Sequence, residues 1–263
     1  MSDAPVSRGK FLRSLGSSMT GAALGTGVAV AQALAARLAA AVPEVSTASN
    51  PVAQPQPVIE GTSVPNPFIS RGSTEGKRLA LTFDDGPMPG VTDRILDALK
   101  QRGLVATFFM IGERVSASPD LARRVAAEGH EIGNHTFTHP KLNSLPDQQA
   151  ALEIQQTQDT IVEVTQQRPI CFRPPFLAFR KNQAPIAHGK GMRIICGDVD
   201  SRDWSQPGEA KIIETILLQA TAGSIIICHD NSPQTANCIA QILDKLLEQG
   251  FTFVTVSSLI DPV

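Results

Sequence analysis

Apolar and polar positions alternate in two distinct rhythms over the later two-thirds of the chain. From Lys77 onward, short apolar runs of strand length are separated by stretches whose apolar residues recur at helical spacing. "RLALTF", "ATFFMI", "HEIGN", "PICF", "MRIICGDV", "SIIIC" and "FTFVTV" read as strands. "VTDRILDALKQRG", "PDLARRVAAEG", "PDQQAALEIQQTQDTIVEVTQ", "GEAKIIETILLQA" and "PQTANCIAQILDKLLEQG" read as helices. Seven strands separated by helices predict a parallel sheet buried on both faces. About 185 residues is small for an eight-stranded barrel, so a shortened, distorted (β/α) barrel is the expected α/β architecture.

The pattern is missing ahead of Lys77. Residues 1–41 carry a basic start, "SRGKFLRSL", then a mild Ala/Gly-rich apolar segment and small residues at Ala39 and Ala41. That is the layout of a signal peptide cut after Ala41, or of an uncleaved membrane anchor. "SRGKFL" resembles a twin-arginine export signal with Gly9 in place of the second arginine. Export to the periplasm, envelope or medium, by that route or by Sec, is the expectation. Residues 42–76 hold six prolines and no periodicity, and read as a disordered linker before a domain spanning 77–263.

Composition narrows the function only a little. A net charge of −2, with 42% hydrophobic and 18% charged residues, is ordinary for a globular chain and is not basic enough to suggest a nucleic-acid partner. Cys171, Cys196, Cys228 and Cys238 lack C-x-x-C spacing, so buried thiols are expected, and no disulfide pairing can be assigned.

The polar clusters are more informative. Asp84 and Asp85 follow the first strand, "NHTFTH" the third, "RPPF" the fourth, "DVDSRDW" the fifth, and His229 with Asp230 the sixth. Each lies just past the carboxyl end of a strand, and in a parallel barrel those ends share the face on which active sites are built. Two adjacent carboxylates repel each other, most of all when buried, unless a cation offsets the repulsion. His135 and His139 are four apart, about one helical turn, so both rings can face one point. Two imidazoles and a carboxylate leave open positions on a divalent ion, as catalytic sites do. One aspartate then binds the ion, and the other can take a proton from water that the ion acidifies. Arg173, ahead of two prolines that fix its backbone, is placed to orient the free aspartate. His229 is a candidate proton donor, with Asp200 and Asp203 as candidate partners and Trp204 beside them. His130 and His188 read as structural or exposed.

The ordered set "TFDDGP", "HTFTH", "RPPF", "DVDSRDW", "IIICHD" and "FVTVSSL" resembles the polysaccharide deacetylases of carbohydrate esterase family 4, the NodB-homology domain, over about Arg78 to Leu259. The resemblance implies metal-dependent removal of acetyl groups from sugar polymers such as peptidoglycan or chitin-like chains. It makes Asp84 the general base, and Asp85, His135 and His139 the ligands of one divalent ion, Zn2+ or else Co2+ or another. Arg173 would hold Asp84, Asp200 would set the charge of the general acid His229, and Trp204, Phe176 and Pro174 would line the substrate groove. The partner implied is an acetylated polysaccharide met by a monomeric chain, with membrane contact only through an uncleaved N-terminal segment. Phe176 stands where the family often has tyrosine, Leu177 replaces a common glycine, and Gly197 replaces a frequent tryptophan, changes that bear on the groove. O-deacetylation of xylan-like polymers and a non-catalytic glycan-binding module on the same fold remain the alternatives. A phosphohydrolase would want Asp-x-Asp spacing, and a non-haem iron oxygenase would leave Arg173 and His229 idle.

Overall fold

A computed structural model describes residues 66–261. The signal or anchor segment and most of the expected linker lie outside the described residues. Among the described residues nine strands occur in chain order: β1 (Phe68–Ile69), β2 (Arg78–Asp84), β3 (Thr107–Met110), β4 (Glu131–Asn134), β5 (Cys171–Phe172), β6 (Arg193–Ile195), β7 (Val199–Asp200), β8 (Ile225–His229) and β9 (Thr252–Phe253). Among them run α1 (Thr92–Lys100), α2 (Gly112–Ala117), α3 (Pro119–Ala127), α4 (Asp147–Thr165), α5 (Ala184–His188), α6 (Glu209–Gln219), α7 (Pro233–Glu248) and α8 (Val256–Ile260).

The sheet runs β1-β6-β5-β4-β3-β2-β8-β7 with every pairing parallel, and β9 pairs with β2. This is the expected distorted barrel with two departures from the seven-strand reading. The run "MRIICGDV" is two strands, because at Gly197 the backbone takes a φ of +126° and a Cβ there would stand 2.7 Å from Ile227. β6 pairs with β5 and β1, while β7, three residues later, pairs with β8 at the other end of the order. The break at Cys196–Asp198 therefore carries one stretch of chain across and curls the sheet back on itself.

The second departure is β1, which lies inside the stretch read as linker. Phe68 and Ile69 pair with Ile194 and Ile195, and Arg71 bridges to Ser224. The Arg71 guanidinium pairs with Asp198 and donates to Thr221 Oγ1 at 2.8 Å and Ala222 O at 2.7 Å. The sheet thus begins ahead of the expected boundary at residue 77. A two-residue strand carries no periodicity for a sequence reading to find.

β2 shows why the site sits where it does. Leu79, Leu81 and Phe83 pack into the main apolar cluster with the helices, whereas Ala80 joins the smaller cluster holding Phe109 and Ile225. Side chains alternate along a strand, so Thr82 and Asp84 share the side of Ala80. Complete burial of Leu79, Leu81 and Phe83 is worth about 1.5–3 kcal/mol each and anchors the strand that ends in the two aspartates. His130, read as structural, is buried against Phe108 and accepts from Ala106 N at 3.2 Å, and burial pushes its pKa down to about 4. His188 is exposed on α5. The four cysteines are free thiols, three of them buried.

Candidate active site

Asp84 ends β2, and ordinary alternation would send Asp85 to the opposite side of the sheet. A φ of +76° at Asp85 breaks the alternation and turns its carboxylate to the same mouth. Aspartate is among the few residues that tolerate that region. Arg114 donates to the Asp85 carbonyl at 2.6 Å and Asn231 to Oδ2 at 3.0 Å, which hold the turned residue.

His135 and His139 reach Asp85 by a route other than the helical turn expected from their spacing. The segment after β4 is a loop, with positive φ at Thr136 and His139. It brings the two rings to 5.0 Å between centroids, with Nε2 of His135 and of His139 at 3.3 and 3.1 Å from Asp85 Oδ1. His135 Nδ1 lies 2.6 Å from the Arg173 carbonyl, so its proton sits there and Nε2 keeps a lone pair available, beside Asp85 Oδ1, for a cation. Asp85 Oδ1 is buried and has no hydrogen-bond partner. Burial opposes its charge, and only when protonated do the two imidazoles hold the carboxyl well below the usual range. Donors bonded about 2.0 Å from one ion at tetrahedral angles stand roughly 3.3 Å apart, so this set of two nitrogens and an oxygen fits a divalent metal with an open position.

Asp84 is 4% exposed and is gripped from below. Arg173, 1% exposed, uses one terminal nitrogen for both Asp84 Oδ1 at 2.6 Å and Thr82 Oγ1 at 2.7 Å. Its guanidinium lies 4.2 Å above the centre of the Phe109 ring, and its Nε faces the Ile195 carbonyl at 3.4 Å. A buried, charge-assisted bond of this kind fixes the carboxylate's plane.

His229, at the end of β8, is held twice by a single carboxylate. Its backbone N–H donates to Asp203 Oδ2 at 2.7 Å and its ring Nδ1 lies 2.7 Å from Asp203 Oδ1. Asp203 is fully buried and also accepts from the Thr235 hydroxyl. Burial disfavours the imidazolium, but the Asp203 bond and the fields of Asp84, Asp203 and Asp85 outweigh it, and the pKa rises to about 9. Asp84, Asp85, His135, His139 and His229 all line one cavity of about 450 Å³, whose apolar rim includes Pro174, Phe176, Leu177 and Trp204.

Residues 71–195 match a family model described as polysaccharide deacetylase. The chain is 36% identical over 200 residues to the chitooligosaccharide deacetylase of Rhizobium leguminosarum bv. trifolii, a match covering 71% of this chain and 93% of that protein. It belongs to the polysaccharide deacetylases of carbohydrate esterase family 4. The chain is also 37% identical over 198 residues to the peptidoglycan-N-acetylglucosamine deacetylase PgdA of Listeria monocytogenes. That match takes in 75% of this chain but 42% of PgdA, so the chain spans less than half the length of that relative. The crystal structure of the Bc1960 peptidoglycan N-acetylglucosamine deacetylase superposes with a TM-score of 0.72 at 31% identity, covering 74% of this chain and 93% of that one.

Every residue expected at the site lines the cavity except Arg173, which lies beneath it. One pairing must be corrected. Asp200, expected beside His229, is exposed, and its Oδ1 accepts from the Arg202 N–H at 2.8 Å; the carboxylate on His229 is Asp203. The cause is local. Arg202 adopts a φ of +55°, and the 3-10 turn at Asp203–Ser205 folds Asp203 inward while leaving Asp200 at the rim. Phe176 is 62% exposed with its ring 4.7 Å from that of His139, and Trp204 is equally exposed. Thr82 and Asn231 were missed as supports. Thr82 could have been found two residues before Asp84 on the same strand face, but nothing marks Asn231 in the sequence.

Proposed function

We propose that this deacetylase hydrolyses the N-acetyl groups of an N-acetylglucosamine-containing envelope polymer, peptidoglycan or a chitin-like chain, outside the cytoplasm, using one zinc ion. The observation that carries the reading is the convergence of Asp85, His135 and His139 on one point, with Asp84 free beside it and His229 lining the same cavity. The names of the relatives support the substrate class. The apolar, ring-bearing rim suits the faces of sugars.

A bound ion supplies Lewis acidity, acidifying water and polarising the acetyl carbonyl. Asp84, oriented by Arg173, takes the proton of the attacking water. The Phe176 backbone N–H would be the donor to the developing oxyanion. His229 donates a proton to the departing nitrogen as the carbon–nitrogen bond breaks, leaving acetate and a free amine. Asp203 keeps the His229 ring aligned and charged.

Acetate release from peptidoglycan, chitooligosaccharides and acetylated xylan tests the whole reading. Release from the first two, stopped by a chelator and restored by zinc, is expected. Release from xylan alone would make the protein an O-deacetylase, and binding without release would make it a glycan-binding module.

Asp203→Asn isolates the acid. His229 works protonated, so activity is lost as pH rises through its pKa. Removing the Asp203 charge lowers that pKa, and the alkaline limb of the kcat profile should move acidward by about one unit or more. A limb that stays put would show that His229 is not the acid.

A further inference from the structure

We infer that Glu153, on α4, is the positioning residue that aims His139 at the ion, an inference resting on the metal reading above. The loop holding both histidines has positive φ at two non-glycine residues, Thr136 at 66° and His139 at 61°. Such backbone states are strained and persist only where the surroundings over-determine them. Here they do. His135 N–H donates to Met110 O and Thr136 N–H to Asn134 Oδ1, both at 3.0 Å. The Thr136 and Phe137 carbonyls accept from Gly112 N at 3.0 Å and Glu113 N at 3.1 Å.

The two N–H groups nearest His139 go to Glu153 alone. Phe137 N and Thr138 N both donate to its Oε2, at 2.9 and 2.8 Å, and the Thr138 hydroxyl donates to Oε1 at 2.7 Å. Successive N–H groups aimed at one oxygen form an anion-binding hollow, and the carboxylate from α4 fills it with charge-assisted bonds. From the other side Phe137 is pressed against Gly112, where a Cβ would stand 2.3 Å from its ring.

The two ligands depend on this clamp unequally. His135 is tied independently by its ring to the Arg173 carbonyl. His139 has no such tie: apart from Asp85, its ring meets only the rings of His135 and Phe176 in aromatic contact among the described residues. Its direction is set by the backbone, and the peptides just before it are the ones that Glu153 holds. Without the carboxylate, those peptides turn to find water, and His139 turns with them.

Zinc affinity of the full chain, read by competition with a chelating dye, and the visible spectrum of the Co2+-loaded chain test this directly. Glu153→Ala should weaken zinc binding about tenfold or more and alter the cobalt spectrum, as loss of an outer partner does elsewhere. Glu153→Gln keeps an acceptor oxygen for both N–H groups and should stay within about threefold of the parent. Thr138→Val loses one bond of the three and, if the alanine variant does not fold, carries the test at about threefold. Unchanged affinity and spectrum in folded Glu153→Ala, or in Thr138→Val in its place, would overturn the inference. So would a glutamine variant as weak as the alanine one, since charge rather than position would then be at work. A parent chain that binds no zinc would sink the metal reading itself. Binding abolished by His139→Ala but untouched by Glu153→Ala would sink only the role of Glu153.

Discussion

Asp84→Asn should lose turnover by roughly 10²- to 10⁴-fold while holding its metal as tightly as the parent. The carboxamide has the size of the carboxylate and still offers an oxygen to Arg173, so the cavity keeps its shape. What disappears, on the proposed mechanism, is the acceptor for the proton of the attacking water. In the proposed site the ion is untouched, because its oxygen donor would be Asp85, turned to the mouth by its own backbone. Activity and metal content measured on the same sample separate the two roles. If the metal is lost with the activity, the two aspartates have exchanged functions.

The second large effect is expected beneath the cavity. Arg173→Met fills similar space but leaves Asp84 nearly buried without its guanidinium partner, and breaking a buried pair from one side costs about 3–5 kcal/mol. Denaturant unfolding should show that loss, and turnover should fall with it because Asp84 is no longer aimed. The Arg173 carbonyl that holds His135 survives the change, so zinc affinity should drop much less than activity. Adding Asp84→Asn to Arg173→Met should then raise stability, since the stranded charge is gone. A double variant less stable than Arg173→Met would mean that Arg173 acts through packing over Phe109 rather than through the ion pair.

Much of this site was legible in the sequence because it obeys a topological rule. Polar clusters at the ends of apolar runs become neighbours once the runs are parallel strands, and Asp84, Asp85, His135, His139 and His229 came together on that ground. What stayed hidden depends on single backbone angles or on partners distant in the chain. Helical spacing suggested that His135 and His139 share a face; two left-handed residues in a loop do the work instead. Asp200 and Asp203 were both visible beside His229, but the turn at Arg202 decides between them, and three residues give no periodicity from which to read it. Glu153 lies on α4, whose pattern announces a helix and says nothing of the loop it will grip. β1 was invisible for a different reason, since two apolar residues among prolines become a strand only when β6 is there to pair with them.

That last strand governs how the protein can be shortened. A polypeptide begun at Lys77, where the apolar rhythm starts, would lack β1 and Arg71. It would leave the flank of β6 as a bare row of amide and carbonyl groups open to a neighbouring molecule. Asp198 would lose its counter-charge at the same stroke, beside the glycine turn that joins the two ends of the sheet. Trimmed versions meant to stay dispersed in solution should therefore begin ahead of Asn66, within the proline-rich stretch rather than after it.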